Sequence, residues 1–214
     1  MHIPDGILPL SVSLAGYGLA AAGTAYALRK IGQQDDPRAG VPKAALFTAA
    51  FFVASLIHIP IPPTSVHLIL GGLMGVMLGY YAMPAILIGL FFQATMFQHG
   101  GITTLGINAC LVGIPALASH FLFQLRHRPS WRKNKTLLGV LGFLGGSVGV
   151  LLTTVMATFL LLTMLPAHLN NEVIRAGVYV MALSHLPLAL IEGAITAMVV
   201  TFLLRVKPSL LDNP

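Results

Sequence analysis

Long apolar runs separated by short polar or Pro/Gly-rich breaks fill most of the chain. A transmembrane β-barrel would show segments of about ten residues in which apolar and polar positions alternate, whereas these runs are continuous. A helix that crosses a bilayer needs roughly 20 predominantly apolar residues, and fewer where its neighbours shield it. The pattern predicts an all-α polytopic bundle, one domain over residues 1–214, with seven transmembrane helices near 7–30, 42–60, 66–81, 83–98, 104–125, 136–165 and 176–205.

The composition agrees with a membrane protein. Hydrophobic residues make up 56% of the chain and charged residues 8%, and the mean hydropathy is +0.86. These values exclude a soluble globular domain of this length. No basic residue precedes the first apolar run, which is also too long for the core of a signal peptide, so it is predicted to remain as the first helix. The sequence contains no motif for binding RNA or DNA, and we expect no nucleic-acid partner.

The basic residues predict the orientation of the chain. Eleven of the twelve lysines and arginines lie within or close beside the connections that follow the first and fifth predicted helices, or at the end of the seventh. Those connections lie on the same side of a bundle of seven spans, and an excess of Lys and Arg marks the cytoplasmic side. The exception is Arg175, which is three residues from Glu172 and can pair with it. The N-terminus is therefore predicted outside and the C-terminus in the cytoplasm of a multi-pass cell-membrane protein, with the basic side near anionic lipid.

The first two residues can form a chelate. Aminopeptidases generally leave the initiator methionine in place before a bulky residue such as His2, so the terminal amine belongs to Met1. That amine, the backbone nitrogen of His2 and the imidazole Nδ1 of His2 can close on one ion as a five-membered ring fused to a six-membered ring. With the amide deprotonated, this planar set suits Ni²⁺, Cu²⁺ or low-spin Co²⁺ and not the oxygen-seeking Mg²⁺ or Ca²⁺. One more ligand is required.

His67 is the leading candidate for the fourth ligand. It lies in HIPIPPTSVHLILGG, where the prolines are expected to end the second helix and Thr64 or Ser65 to cap the third. This places His67 in the first turn of a helix, on the same side as the N-terminus, with a ring nitrogen available for orientation by a hydroxyl or carbonyl. The other interpretation is a cap-region histidine bonded to backbone. His58 ranks below His67 as a ligand.

Further polar residues are predicted on the same side. The stretch FFQATMFQHGGITTLGIN places Gln93, His99 and Asn108 around a glycine bend. Polar groups at membrane depth are costly unless they pair or line a cavity, so these residues either form a lid or second shell over an ion or satisfy one another in a turn. Asp5, in the PDG sequence, can accept amide hydrogen bonds as a turn residue or offset the charge of an ion.

Glu192 is predicted to lie within the membrane. An ionisable residue at that depth must be paired or protonated, and His185 precedes it by seven residues on roughly the same helical face. The pair indicates either a proton relay or a structural hydrogen bond.

Four segments together resemble a known family. MHIPDG, PPTSVHLILGGLMG, QHGGITTLGIN and SHLPLALIEGAITAMVV are similar to the CbiM/NikM family of nickel/cobalt-specific substrate-binding (S) components of energy-coupling factor transporters, over almost the whole chain. The resemblance implies a square-planar site formed by the amine of Met1, the amide and imidazole of His2, and the imidazole of His67. It leaves open whether His99 touches the metal, caps the site or packs.

The resemblance also implies an assembly. It predicts an extra N-terminal helix added to the six of other S components, and transport together with a transmembrane coupling (T) protein, a pair of ABC-type ATPases and usually a small additional membrane subunit. Transported Ni²⁺ or Co²⁺ would be bound as cargo, with no cofactor of the chain's own. By the same resemblance, small residues of the second helix, such as Ala45 and Ala49, either face the coupling protein or pack internally.

Two other functions were considered. A stand-alone divalent-metal permease would be expected to carry mid-helix ligands in an H-x4-D-H pattern, which the sequence lacks. An intramembrane metalloprotease would need H-E-x-x-H, which is also absent. The glycine-rich GFLGGSVG lacks the Lys-Ser/Thr of a phosphate-binding loop, so ATP hydrolysis is assigned to partners and no enzymatic activity is predicted.

Overall fold

The computed structural model describes residues 2–61, 64–128, 134–167 and 171–212, and it describes the backbone alone at His58, Ile59, Ile61, Thr64, Ser65 and Asp212. Within these residues the fold consists of helices and one short hairpin. The helices and strands are α1 (Leu10–Ile31), α2 (Val41–Leu56), β1 (His58–Ile61), β2 (Thr64–His67), α3 (Gly71–Leu78), α4 (Ala82–Phe97), α5 (Leu105–Gln124), α6 (Lys135–Met164), α7 (Glu172–Val206) and α8 (Ser209–Asp212), with 3₁₀ turns at Gly79–Tyr81 and Leu125–His127.

The two longest helices begin at asparagine caps. Asn134 accepts a hydrogen bond from the backbone N–H of Leu137 at 3.1 Å, and Asn171 accepts one from Ile174 at 3.0 Å. These side chains satisfy amide groups that lack a partner in the first turn of any helix. The acidic Glu172 in the first turn of α7 adds a favourable interaction with the helix dipole. The predicted spans 136–165 and 176–205 correspond to α6 and α7.

The predicted boundaries of the second and third spans are wrong at one end each. α2 ends at Leu56 instead of residue 60, and α3 begins at Gly71 instead of residue 66. Between them, His58–Ile61 and Thr64–His67 pair as antiparallel strands, with His58 opposite His67 and Ile61 opposite Thr64. Thr64 and Ser65 therefore do not cap a helix, because both belong to strand β2. Within the part of the chain that the structure describes, the departure from an all-α fold is confined to these eight strand residues.

Small residues allow α3 to lie deep in the bundle. All eight residues of α3 are buried, and it packs against both α5 and α6. A Cβ added to Gly75 would collide with the backbone carbonyl of Ala116 in α5, and one added to Gly72 would collide with the Gly145 and Gly146 backbone in α6. Helices approach this closely only where side chains are small. α3 is therefore held by backbone contact on two sides.

The two ends of the bundle differ in character. Tyr81 donates to the carbonyl of Pro37 at 2.8 Å, the Lys43 ammonium donates to the carbonyl of Leu210 at 3.0 Å, and Arg126 donates to the carbonyl of Leu211 at 2.8 Å. These contacts bring the 32–40 connection, the end of α5 and the C-terminal α8 together. The N-terminal segment, the hairpin and the 98–104 connection lie at the other end of the helices.

Several helical segments are long and apolar enough to cross a membrane. Among the described residues there are four of them, Gly71–Phe97, Leu105–His127, Lys135–Met164 and Glu172–Val206, and Val41–Leu56 is a shorter apolar helix. The segment Gly71–Phe97 includes Gly79, whose φ of +58° ends α3. Large apolar side chains on α6 and α7, such as Phe159 and Phe202, are exposed on the outside of the bundle. The chain is a multi-pass membrane protein.

Candidate metal centre

Three histidines from distant parts of the chain meet at one end of the bundle. His2 comes from the N-terminal segment, His67 from the end of β2 and His99 from the connection after α4. One ring nitrogen from each lies within 4.8 Å of the other two. Clustered imidazoles are typical ligands of nickel, cobalt, copper and zinc. The structure therefore brings together two of the predicted ligands, His2 and His67, with His99.

The three imidazole rings have a defined arrangement relative to one another. The rings of His2 and His67 stack with centroids 5.1 Å apart and planes 2° apart, and the ring of His99 stands edge-on to both, at 4.6 and 4.9 Å. His2 Nδ1 lies 2.8 Å from His99 Nε2, so one of these nitrogens donates a proton to the other. Nδ1 is the atom through which His2 can close a chelate with the terminus. His99 therefore lies next to the predicted chelating atom.

His67 is held as one tautomer. Its Nδ1 lies 3.0 Å from the carbonyl oxygen of Leu68. A carbonyl can only accept, so Nδ1 carries the proton, which in the neutral ring leaves the lone pair on Nε2, the nitrogen that could bind a metal. The residue is 3% exposed. Its predicted place in the first turn of a helix is wrong, since it ends a strand. Its bond to the Leu68 carbonyl agrees both with a ligand oriented by a carbonyl and with the other interpretation, a histidine bonded to backbone.

Ile3, the residue after His2, is held by hydrogen bonds to α5 and to the loop that precedes α5. The backbone N–H of Ile3 donates to Asn108 Oδ1 at 2.9 Å, and the carbonyl of Ile3 accepts from Asn108 Nδ2 at 3.0 Å and from Thr104 Oγ1 at 2.6 Å. Ile3, Thr104 and Asn108 are all buried. The Asn108 amide thus pairs with the Ile3 backbone on both sides, as a neighbouring strand would. It fixes the path of the chain directly beside His2.

Asp5 forms a second clamp on the same segment. Its carboxylate accepts the Thr103 hydroxyl at 2.5 Å, the Thr103 amide at 2.8 Å and the Ile102 amide at 3.2 Å. Asp5 was predicted to accept the amides of its own turn, but its partners belong to the 98–104 connection. A Cβ on Gly101 would collide with Asp5, so the close approach requires glycine there. Hydrogen bonding, first from the Thr103 hydroxyl and then from the two amides, lowers the pKa of Asp5.

Gln93 supports the centre indirectly. Its side-chain amide donates to Ser55 Oγ of α2 at 2.5 Å, and its backbone carbonyl accepts the N–H of His99 at 3.1 Å. The side chain therefore links α4 to α2, while the main chain fixes the start of the loop that carries His99. Met1, the remaining predicted ligand, lies outside the described residues, as do the side chains of His58, Thr64 and Ser65.

Sequence reasoning missed Thr103 and Thr104 as contact residues. Both follow the Gly100–Gly101 pair after one intervening residue, Ile102, and each binds the N-terminal segment through its hydroxyl. Two adjacent hydroxyl residues close to a glycine pair were the available signal. Their partners are a carbonyl and a carboxylate about 100 positions away, which no local pattern identifies.

The chain is similar to known metal-transport proteins. The family model described as "Cobalt uptake substrate-specific transmembrane region" (CbiM) matches residues 2–210. A putative metal transport protein of Haemophilus influenzae is 37% identical over 214 residues, which cover 100% of this chain and 98% of that protein. A putative fused nickel transport protein, NikMN, of Archaeoglobus fulgidus is 32% identical over 100% of this chain and 68% of its own length.

The chain is also similar to a solved structure of a metal transporter. A protein described as a transition metal transporter superposes with a TM-score of 0.77 and 25% sequence identity, over 99% of this chain and 97% of the other. The predicted family is confirmed by the match over nearly all residues, and the family is a metal-transport membrane component, not an enzyme. The chain belongs to the CbiM family of cobalt-uptake substrate-specific transmembrane proteins.

Proposed function

We propose that this chain is the substrate-binding component of an ATP-driven energy-coupling factor transporter and that it binds one Ni²⁺ or Co²⁺ ion for uptake. The observation that carries the proposal is the convergence of His2 with His67, whose Nδ1–H is committed to the carbonyl of Leu68 so that Nε2 can bind a metal. The ligands are the amine of Met1, the amide nitrogen and Nδ1 of His2, and Nε2 of His67. Four nitrogens in a plane favour Ni²⁺ and low-spin Co²⁺.

His99 serves as a cap on this site. Its Nε2 is within hydrogen-bond distance of His2 Nδ1, at 2.8 Å, and this is the atom through which His2 would bind the ion. Binding therefore exchanges the His2–His99 hydrogen bond for a metal bond and releases protons from the ligands. Metal affinity should rise with pH as the amine, the amide and the imidazoles lose their protons.

The ion enters from outside the cell. The histidine cluster lies at the end of the bundle opposite the 32–40 and 125–127 segments, where basic residues concentrate. The basic end is cytoplasmic by the positive-inside rule, which places the centre and the N-terminus outside. This orientation requires seven crossings of the membrane. In this count α3 and α4 are two separate crossings, joined by the turn at Gly79–Tyr81.

The coupling protein docks on α2. Ala45 and Ala49 are exposed, so they do not serve internal packing, and they line a groove of about 630 Å³ between α2 and α4. Small residues on an exposed helix face allow another helix to approach closely. The fused NikMN relative supports a chain of this kind working beside a further polypeptide. The coupling protein and its ATPases would then drive the release of metal into the cell.

A binding and uptake experiment tests the proposed function. The protein purified with its native N-terminus and a C-terminal tag should bind one Ni²⁺ ion per chain, with the absorption of a diamagnetic square-planar complex. Liposomes that contain this chain alone should bind Ni²⁺ without accumulating it, and ATP-dependent accumulation should require the coupling protein and the ATPases. Accumulation by this chain alone would identify a stand-alone permease instead.

Removing the charge of Asp5 should weaken metal binding. Asp5→Asn keeps the shape but places an amide N–H against the amides of Ile102 and Thr103, so the N-terminal segment is held less firmly. We expect the Ni²⁺ affinity to fall about tenfold, the low end for groups that orient metal ligands, as measured by isothermal titration calorimetry. Asp35→Asn, an exposed aspartate at the other end of α1, is the matched control.

The pH dependence separates Asp5 from the nitrogen ligands. A carboxyl whose pKa is lowered in the folded state contributes stability above its unfolded pKa of about 4, and that contribution is lost as pH falls through the lower, folded value. Asp5 is thus ionised throughout pH 5 to 8, and the parent and Asp5→Asn proteins should show parallel affinity–pH curves. Curves that converge within this range would contradict the assigned role of Asp5.

A further inference from the structure

Glu192 is a buried acidic residue within α7. It is 1% exposed and lies 20 residues from the start of a 35-residue apolar helix. A carboxyl group in such a place needs internal partners, because no lipid can supply hydrogen bonds. The carboxylate is bonded to the backbone ahead of α3, while Nδ1 of His185 donates to the carbonyl of Met181 at 2.7 Å. The bonds described for the two residues do not connect them, so the proton-relay interpretation has no structural support.

Both oxygens of Glu192 accept backbone N–H groups just ahead of α3. One accepts from Ile69, and the other accepts from Leu70 at 2.9 Å. Two backbone N–H groups directed at the two oxygens are an arrangement that stabilises the ionised form of a carboxylate. A negative charge there also faces the positive end of the α3 dipole. The charge of Glu192 is therefore accommodated by the main chain of the segment between β2 and α3.

This segment is the one that orients His67. Leu68, whose carbonyl fixes the His67 ring, is followed directly by the two residues that Glu192 binds. Leu70 has a φ of +52°, a left-handed conformation that a leucine keeps only when its surroundings enforce it. The two amides are presented to Glu192 by this turn. A change at Glu192 would therefore reach the His67 ring through only two residues of chain.

Glu192 is itself rigidly placed. α7 packs against α6, where Ser147 Oγ donates to the carbonyl of Ala189 at 2.9 Å and Gly146 leaves room for the Glu192 backbone. β2 also packs against α7. The carboxylate thus connects the metal-binding segment to the α6–α7 pair, the longest helices of the bundle.

We infer that Glu192 is a positioning residue of the metal centre, which sets the direction of His67 Nε2 by holding the backbone of Ile69 and Leu70. The inference rests on the proposed function, since it assigns the ion to His67. It predicts that α7 controls the planarity of the site. A displacement of α7 relative to α3 would turn the His67 ring away from the other three ligands and loosen the ion.

The test compares Glu192→Gln and Glu192→Asp with the parent. The glutamine variant loses the charge and one acceptor oxygen, and we expect its Ni²⁺ affinity to fall about 10- to 100-fold. At saturating Ni²⁺ its planar absorption band should shift or be partly replaced by that of a high-spin complex. The aspartate variant keeps the charge on a shorter stem and should give an intermediate affinity. Glu172→Gln, an exposed change on the same helix, is the control.

A merely structural role predicts a different result. In that case the variants would melt at a lower temperature while the folded protein kept the parent affinity and spectrum, and this outcome overturns the inference. If the glutamine variant cannot be purified folded, the aspartate variant decides by the same two readouts. If His67→Ala keeps the parent affinity, the proposed function fails; if His67→Ala loses the site while both Glu192 variants keep it, only this inference fails.

Discussion

Extending the N-terminus by four residues is expected to reduce Ni²⁺ affinity by at least about 1,000-fold, or about 4 kcal/mol. The extension converts the Met1 amine into an amide. It also adds residues next to a segment whose position is fixed by the hydrogen bonds of Asn108 and Asp5. The fused chelate then loses its terminal donor, and the imidazoles alone cannot supply a planar set. Calorimetry and the absorption of the planar complex measure the loss.

The length of the extension matters. A single added residue would make His2 the third residue of the chain, and an amine, two amides and an imidazole can then close on Ni²⁺ without His67. Four added residues exclude this chelate. The same four residues placed at the C-terminus serve as the control, and mass spectrometry verifies each N-terminus. An extended chain that binds Ni²⁺ with the parent affinity and spectrum would rule out the amine as a ligand.

The helices were predictable because their signal is local. Continuous apolar runs of 20 or more residues have few alternatives in a membrane, and α6 and α7 differ from their predicted spans by a few residues at most. The second and third spans were predicted too long because HIPI and TSVH are as apolar or β-branched as their helical neighbours. Nothing in single-residue hydrophobicity distinguishes a short hairpin from another turn of helix.

The candidate metal ligands could be predicted from the sequence more readily than the residues that hold those ligands in place. His2 and His67 carry chemistry that can be read from residue type and position, and the structure brings their rings together. The residues that hold them do so by binding the backbone of distant segments. Asn108 is paired with Ile3, 105 positions away, and Glu192 with Ile69, 123 positions away. Backbone amides are present at every residue, so the sequence does not indicate which of them a buried carboxylate or amide will bind.

Replacing His67 with alanine is expected to weaken Ni²⁺ binding by at least about 100-fold, or about 2.8 kcal/mol. The variant removes the one donor that lies outside the N-terminal chelate, and the buried position limits replacement of the ring by bulk water. His127→Ala, which changes an exposed histidine at the opposite end of the bundle, should bind as the parent does. The remaining three donors can still hold the ion, so the variant should keep weak binding with an altered spectrum.

Added imidazole provides the decisive readout for His67. Truncation to alanine leaves a ring-sized space lined by the Leu68 carbonyl that bound Nδ1–H in the parent. A free imidazole can donate to that carbonyl and present its other nitrogen to the ion, which should restore the planar spectrum at millimolar concentration. The same imidazole should not restore the chain with the N-terminal extension, because that chain lacks the amine. If imidazole restores the planar spectrum of neither variant and the alanine variant binds Ni²⁺ with the parent affinity, the fourth ligand is another residue. His99, whose Nε2 is 2.8 Å from His2 Nδ1, would then be the first to examine.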